Sequence, residues 1–230
     1  MLKIRFAAER GVTRTSWLDS QHTFSFGDYY DPEQMGFYTL RVINQDIIKP
    51  DTGFATHAHK DMEILTYVLK GAVTHKDSLG NETIIQPGEI QRMSAGTGVK
   101  HSEYNKSKTE ILELLQIWIA PAQKGLPPSY QQNTFKPEQT GLQLLVSSDG
   151  IEESLLIHQQ AKLFRGYLLS EQTLELPVVT HTHFWLQLIS GQLLLNYQLL
   201  NPGDGAAISN EDLIKITANE KAEFLLFELS

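Results

Sequence analysis

Along most of the chain, apolar and polar residues alternate in short runs, and the runs end at Gly, Pro, Asn or Asp. A period of two is the signature of a strand with one buried face. It predicts strands at residues 38–44, 64–69, 72–76, 83–85, 112–119 and 142–146. Further strands are expected at 155–159, 184–189, 193–197, 213–217 and 223–229. Residues 73–85 enclose the turn cluster Asp77-Ser78-Leu79-Gly80-Asn81 and read as a hairpin. A 3.6-residue period is nearly absent, and only 32–35 suggests a turn of helix. Many short strands with regular turns predict an all-β sandwich or barrel.

One stretch breaks the pattern. Residues 121–140 carry Pro121, Gly125, Pro127, Pro128 and Pro137 around Gln131-Gln132-Asn133, and read as a linker. On either side the sequence repeats itself. Thr56-His57-Ala58-His59 precedes an apolar run, Lys70-Gly71, a hairpin and Gln86-Pro87-Gly88-Glu89. Thr180-His181-Thr182-His183 precedes an apolar run, Ser190-Gly191, another strand and Asn201-Pro202-Gly203-Asp204. The offset is 124 residues from His57 to His181 and 115 from Pro87 to Pro202, which places the difference in the variable hairpin. At roughly 150 residues per domain, 230 residues fall between one domain and two. The repeat favours two, with boundaries expected at 1–125 and 141–230 and a linker over 126–140.

Composition narrows the chemistry. There is no cysteine, which excludes disulfide scaffolds, zinc–thiolate fingers, Fe–S clusters and thiol nucleophiles. A net charge of −8 without a Lys/Arg cluster disfavours direct contact with nucleic acid. No run approaches the roughly 18 apolar residues of a membrane span, and charge interrupts Met1-Leu2-Lys3-Ile4-Arg5-Phe6 before a signal-like core forms. A cytoplasmic protein is the expectation.

What remains is histidine and carboxylate. His57 and His59 stand at i and i+2, so on a strand both imidazoles share a face. His101 and Glu103 repeat that spacing after Ala95-Gly96-Thr97-Gly98. If the two strands are neighbours facing a barrel interior, three imidazoles and a carboxylate converge, a donor set for a divalent transition metal. A single His-x-His pair is more often a surface feature, and the second pair is what makes a site the better reading. Glu63, four residues after His59, competes for the carboxylate role, and spacing alone leaves the choice open. His75 is expected to hydrogen-bond within the hairpin, and His22 and His158 to be structural.

These features resemble the cupin superfamily and, more closely, the pirin family, in particular bacterial pirins with quercetin 2,3-dioxygenase activity. The resemblance rests on residues 16–20, 22–32, 35–37, 40–44, 57–71 and 87–89 and on the run Met93-Ser94-Ala95-Gly96-Thr97-Gly98-Val99-Lys100-His101-Ser102-Glu103-Tyr104-Asn105. It covers residues 1–120 and continues more weakly to the C-terminus. It implies two jelly-roll-like cupin barrels packed in tandem. It also implies one divalent metal in the N-terminal barrel, held by His57, His59, His101 and Glu103. Iron is the metal it favours, and Mn, Ni, Co, Cu or Zn would suit the same donors. Glu63 then falls to a supporting role.

The implied reaction opens the central ring of a flavonol such as quercetin with O2 and releases CO, with Glu103 as the base for the flavonol hydroxyl. Aromatic residues of the 22–30 segment are expected in the pocket or in the core. The alternative is a metal-binding regulatory protein that acts through protein contacts. The second copy keeps His181-x-His183 but has no returning His-x-Glu, so it is expected to be a degenerate barrel without a tight metal site.

Overall fold

Strands with one apolar face are stable only when that face is covered, so the chain folds into stacked antiparallel sheets. The only helical pieces among the described residues are 3-10 turns at Ala7–Glu9 and Ile151–Glu153. The computed structural model describes residues 1–179 and 181–230; Thr180, which opens the second histidine motif, lies outside them. No helix among the described residues is long and apolar enough to cross a membrane.

The chain divides into two compact units. One comprises Gly11–Phe135 with Leu155–Gln159, the other Met1–Arg10, Lys136–Ser154 and Gln160–Ser230. In the first unit a large sheet runs in the order Ser129–Thr134, Glu89–Ser94, Glu63–Lys70, Leu112–Ile119, Leu40–Ile48, Leu18–His22 and Gly11–Arg14. The small sheet runs Thr52–His59, Val99–Asn105, Val73–Asp77 and Glu82–Ile85. Leu18, Ile48, Val68, Leu112 and Leu114 of the large sheet pack with Val73 and Ile85 of the small one and close one end of the sandwich.

The second unit has the same plan. Its large sheet contains, in order, Leu2–Arg5, Gly205–Ile208, His183–Ser190, Ala222–Leu229, Ala161–Leu168 and Gly141–Ser147. Its small sheet runs Thr173–Pro177, Leu213–Ala218, Leu193–Leu195 and Gln198–Leu200. A continuous apolar cluster fills the space between them.

Two segments differ from the expected boundaries. Leu2–Arg5 pairs with Gly205–Ile208 in the second unit. Within the expected linker, Ser129–Thr134 pairs with Glu89–Ser94. Each covers the strand that follows a Pro-Gly turn and would otherwise be a bare edge. Leu2–Arg5 alternates over only four residues, and Ser129–Thr134 is almost wholly polar, so neither stands out in the sequence. The 32–35 stretch is a turn, and of 155–159 only Leu155–Leu156 is extended as strand.

Strand register corrects the alignment of the two copies. Glu63 pairs with Ile119 and Thr66 with Gln116; His183 pairs with Leu229 and Leu186 with Leu226. The bulge recurs as well, between Glu113 and Leu114 and between Leu188 and Ser190. Gly71 and Gly191 close the two strands at φ 76° and 78°. In each case an added Cβ would strike a carbonyl, that of Ile111 or of Lys221. His183 therefore occupies the place of Glu63. His57 and His59 correspond instead to Leu176 and Val178, which face Ile214 and Asp212 across the sheet. The His181-x-His183 motif is a coincidence of composition one loop further on. His181 lies exposed in a turn at φ 69°, and His183 bonds Ser209 at 3.0 Å.

Candidate metal centre

Thr52–His59 and Val99–Asn105 are antiparallel neighbours in the small sheet, and their register sets His101 directly opposite His57. A bulge between His101 and Glu103 kinks the strand there. The two i, i+2 pairs thereby point into the sandwich from adjacent strands. The ring centroids of His57, His59 and His101 lie 4.5–4.9 Å apart, and one nitrogen from each falls within 4.8 Å of the others. His101 and Glu103 are buried, and His57 and His59 are half-buried toward the opening.

Hydrogen bonds fix which nitrogens are available. His57 Nδ1 lies 2.8 Å from the Ala55 carbonyl, which can only accept, so Nδ1 carries the proton and Nε2 the lone pair. His101 Nδ1 lies 3.5 Å from His75 Nδ1, and His75 Nε2 meets the Asp77 carboxylate at 3.1 Å. The Asp77 carboxylate requires a proton on His75 Nε2. His75 Nδ1 is then an acceptor for His101 Nδ1–H, and His101 Nε2 is left with a lone pair. That atom is buried and has no protein partner. An orphaned acceptor beside two further imidazole nitrogens is what a metal ligand looks like before the metal is added. The donor set fits a divalent ion.

The electrostatics agree with neutral imidazoles. Burial, with His101 and His57 adding to it, lowers His59 to about 4; Glu103 opposes the shift. Burial, His57 and His75 lower His101 to about 3, against an opposing effect of Asp77. Burial would raise Asp77, but hydrogen bonds from Asn81, His75 and the Leu79 backbone outweigh it and hold the carboxyl below its usual range. Glu103 accepts from Thr66 Oγ1 at 3.1 Å and Gln116 Nε2 at 2.6 Å, both donated by the facing sheet.

Several residues stand differently from the expectation. Glu63 is buried away from the histidines, where Ser94 bonds it at 2.7 Å and His158 at 3.2 Å. His75 does hydrogen-bond within the hairpin, but its partner is at i+2 and it backs His101. With His101 and Glu103 it forms a second close triad, entirely buried. His22 is not an isolated packing residue, since it forms part of the cavity wall described next.

The histidines open into a cavity of about 500 Å³ in the first unit. Trp17, Phe26, Phe54 and Trp118 are among its lining residues, so the 22–30 segment is divided, with Phe26 in the wall and Phe24 in the core. Trp118 meets His59 edge-on at 4.9 Å and Phe26 at 5.3 Å. Thr13, Ser20, His22, Asn44 and Asp46 also line the cavity. Thr66 and Gln116 could have been suspected only by knowing which strands pair, and nothing in the local sequence marks Ser20 or Asp46.

The Pirin family profile matches residues 5–119, and the profile of the quercetinase C-terminal cupin domain matches 144–229. A protein of Escherichia coli K12 named quercetin 2,3-dioxygenase is 48% identical over 229 residues, covering 100% of this chain and 99% of that protein. A putative quercetin 2,3-dioxygenase of Pasteurella multocida is 46% identical over 233 residues, covering all of both chains. The crystal structure of the bacterial pirin YhhW from E. coli in complex with nickel(II) superposes with a TM-score of 0.97 at 48% identity, covering 100% of this chain and 99% of that one.

Proposed function

The chain belongs to the pirin family, and from that membership we propose that it is a metal-dependent quercetin 2,3-dioxygenase whose metal is held by His57, His59, His101 and Glu103. The observation that carries the reading is the orphaned Nε2 of buried His101, aimed into an aromatic cavity beside His57 and His59. The names of the E. coli and P. multocida relatives and the nickel(II) bound by YhhW support it.

When bound, a divalent metal supplies Lewis-acid polarisation of the flavonol 3-hydroxyl and a template for it. The protein does the rest. His57 and His101 are held in the tautomer that presents Nε2, by Ala55 and by the Asp77–His75 pair. Glu103 takes the 3-hydroxyl proton, and its position is fixed by Thr66 and Gln116. Trp17, Phe54 and Trp118 sandwich the planar ring system and keep bulk water from it. The overall change adds both atoms of O2 to the flavonol and releases CO.

The test is aerobic loss of flavonol absorbance with detection of CO, using protein loaded in turn with Fe, Mn, Ni, Co and Cu. Turnover with CO is expected for at least one metal. Metal binding without turnover for any of them would favour the regulatory alternative.

A further inference from the structure

His57 and His101 are each set by a hydrogen bond at Nδ1, to the Ala55 carbonyl and to His75. Their neighbour His59 is set differently. No described residue hydrogen-bonds its imidazole. Beside the other two histidines, what meets it is the indole of Trp118, edge-to-face, with ring centroids 4.9 Å apart and planes at 84°.

Trp118 reaches His59 from the opposite sheet. It stands on Leu112–Ile119 between Val42 and Ile64, and a bulge follows it directly. Bulges commonly re-aim the side chain beside them. The indole is itself well held. It packs on the buried cluster of Ile64, Met93, Ala95 and Val99. Phe26 meets it edge-to-face at 5.3 Å and 84°. Two backbone hydrogen bonds of 3.0 Å bridge Phe26 to Tyr29, and the Tyr29 ring lies against the bare backbone of Gly11, where any Cβ would strike it. An indole fixed in this way is a firm surface for the His59 ring to rest on.

The fold does not call for an indole there. In the second unit Val178 takes the register place of His59, and Glu228 takes that of Trp118. Glu228 bonds Lys162 on the neighbouring strand at 3.0 Å. The imidazole and the indole are present together in one unit and absent together in the other.

The geometry points to Trp118 as a positioning residue of the metal site, one that fixes the plane of the His59 ring as hydrogen bonds fix His57 and His101. The inference rests on the reading of His57, His59, His101 and Glu103 as metal ligands. An imidazole that turns freely loses that freedom when it binds a metal, and the loss lowers affinity. A ring already held against an indole has less to lose. Edge-to-face contacts are weaker than the hydrogen bonds behind most metal-bound histidines, so the effect falls on affinity and not on stoichiometry.

The test is chelator competition for nickel(II) and copper(II), with the metal-free protein as the starting point. Trp118→Leu, which still covers the apolar cluster, should weaken the binding of either ion about 3- to 10-fold. Trp118→Phe keeps an aromatic ring beside His59 and should return to within about twofold of wild type. The EPR spectrum of bound copper(II) supplies a readout that a merely structural loss would not move. Its nitrogen hyperfine pattern should change in Trp118→Leu and be restored in Trp118→Phe. Phe26→Leu, which removes a support of the indole, should weaken binding in the same direction by less, and it decides the matter if Trp118→Leu does not fold.

Unchanged affinity and spectra in Trp118→Leu, or in Phe26→Leu where that variant decides, would overturn the positioning role and leave the ligand set standing. A loss in Trp118→Phe as large as in Trp118→Leu would overturn it as well, because the ring would then not matter. A wild-type protein that takes up neither ion would overturn the ligand reading and the positioning role together.

Discussion

The two units share a register and differ in what fills it. In the first, Thr66, His75, His101, Glu103 and Gln116 form a polar interior. In the second, the positions that pair in the same way hold Leu186, Leu195, Ile214, Ile216 and Leu226. All five of these are fully buried members of one apolar cluster. Leu176 and Val178 replace His57 and His59, so none of the four expected ligand positions keeps a donor. The comparison separates what the sandwich needs in order to fold from what the first unit adds. An interior of Leu and Ile satisfies the fold, and the imidazoles, carboxylate and hollow are additions that destabilise it unless a ligand binds.

The most severe way to break the contrast is to remove its centre. His101→Ala should abolish stoichiometric metal and turnover together, and elemental analysis of the purified variant checks the first. Retained metal would mean that His101 is no ligand. Next, Ile216→Glu would place a carboxylate where Leu186 and Leu226 stand in the roles of Thr66 and Gln116. With no donor to meet it, the second unit should lose roughly 3–5 kcal/mol in urea titration. A loss below about 1 kcal/mol would contradict a dry, closed interior.

Leu226→Ala should cost about 2–5 kcal/mol of stability and leave metal content unchanged. At the matching position in the first unit, Gln116→Leu should cost activity more than stability, since it removes a donor to Glu103. His75→Phe keeps the ring but breaks the link from Asp77 to His101, and metal affinity should fall about 10- to 100-fold. That loss should appear in competition with a chelator even where activity survives at saturating metal.

Acid sensitivity is the mildest distinction. His59 and His101 titrate near 4 and 3 when folded, against 6.5 for an ordinary histidine. Between these values the unfolded chain binds more protons than the folded one. The stability that their neutral forms contribute is therefore complete above about pH 6.5. It is lost as pH falls from there through 4 toward 3. Metal-free protein should show this slope in denaturant titrations, and a His59→Gln, His101→Gln double variant should flatten it. An unchanged slope would place the acid-sensitive groups elsewhere.

Much of this was legible beforehand. Alternation located most strands, the Val73–Asp77 and Glu82–Ile85 hairpin among them. The repeat of apolar runs ending in Gly and Pro-Gly announced two modules, and two i, i+2 pairs marked the small-sheet strands that come together. The misread piece was His181-x-His183, where a matching motif outweighed the four-residue conflict between its offset and that of Gly71 and Gly191. The edge strands were hidden for a different reason: Leu2–Arg5 alternates over only four residues, and Ser129–Thr134 is almost wholly polar.

The sequence by itself determined the β class, the pair of modules and a donor set restricted to imidazole and carboxylate. Side-chain period and the absence of cysteine are local properties, and local properties survive without knowledge of pairing. Only the tertiary structure decided that Glu63 bonds Ser94 and His158 while Glu103 lies close to His75 and His101. It also decided that Asp77 and His75 set the tautomer of His101, that Ser20 and Asp46 share its cavity, and that the second interior is filled. Alternation tells which face of a strand a residue occupies. Which residues meet across sheets depends on register and strand order, and a shift of one residue would have turned each of these side chains to the opposite face.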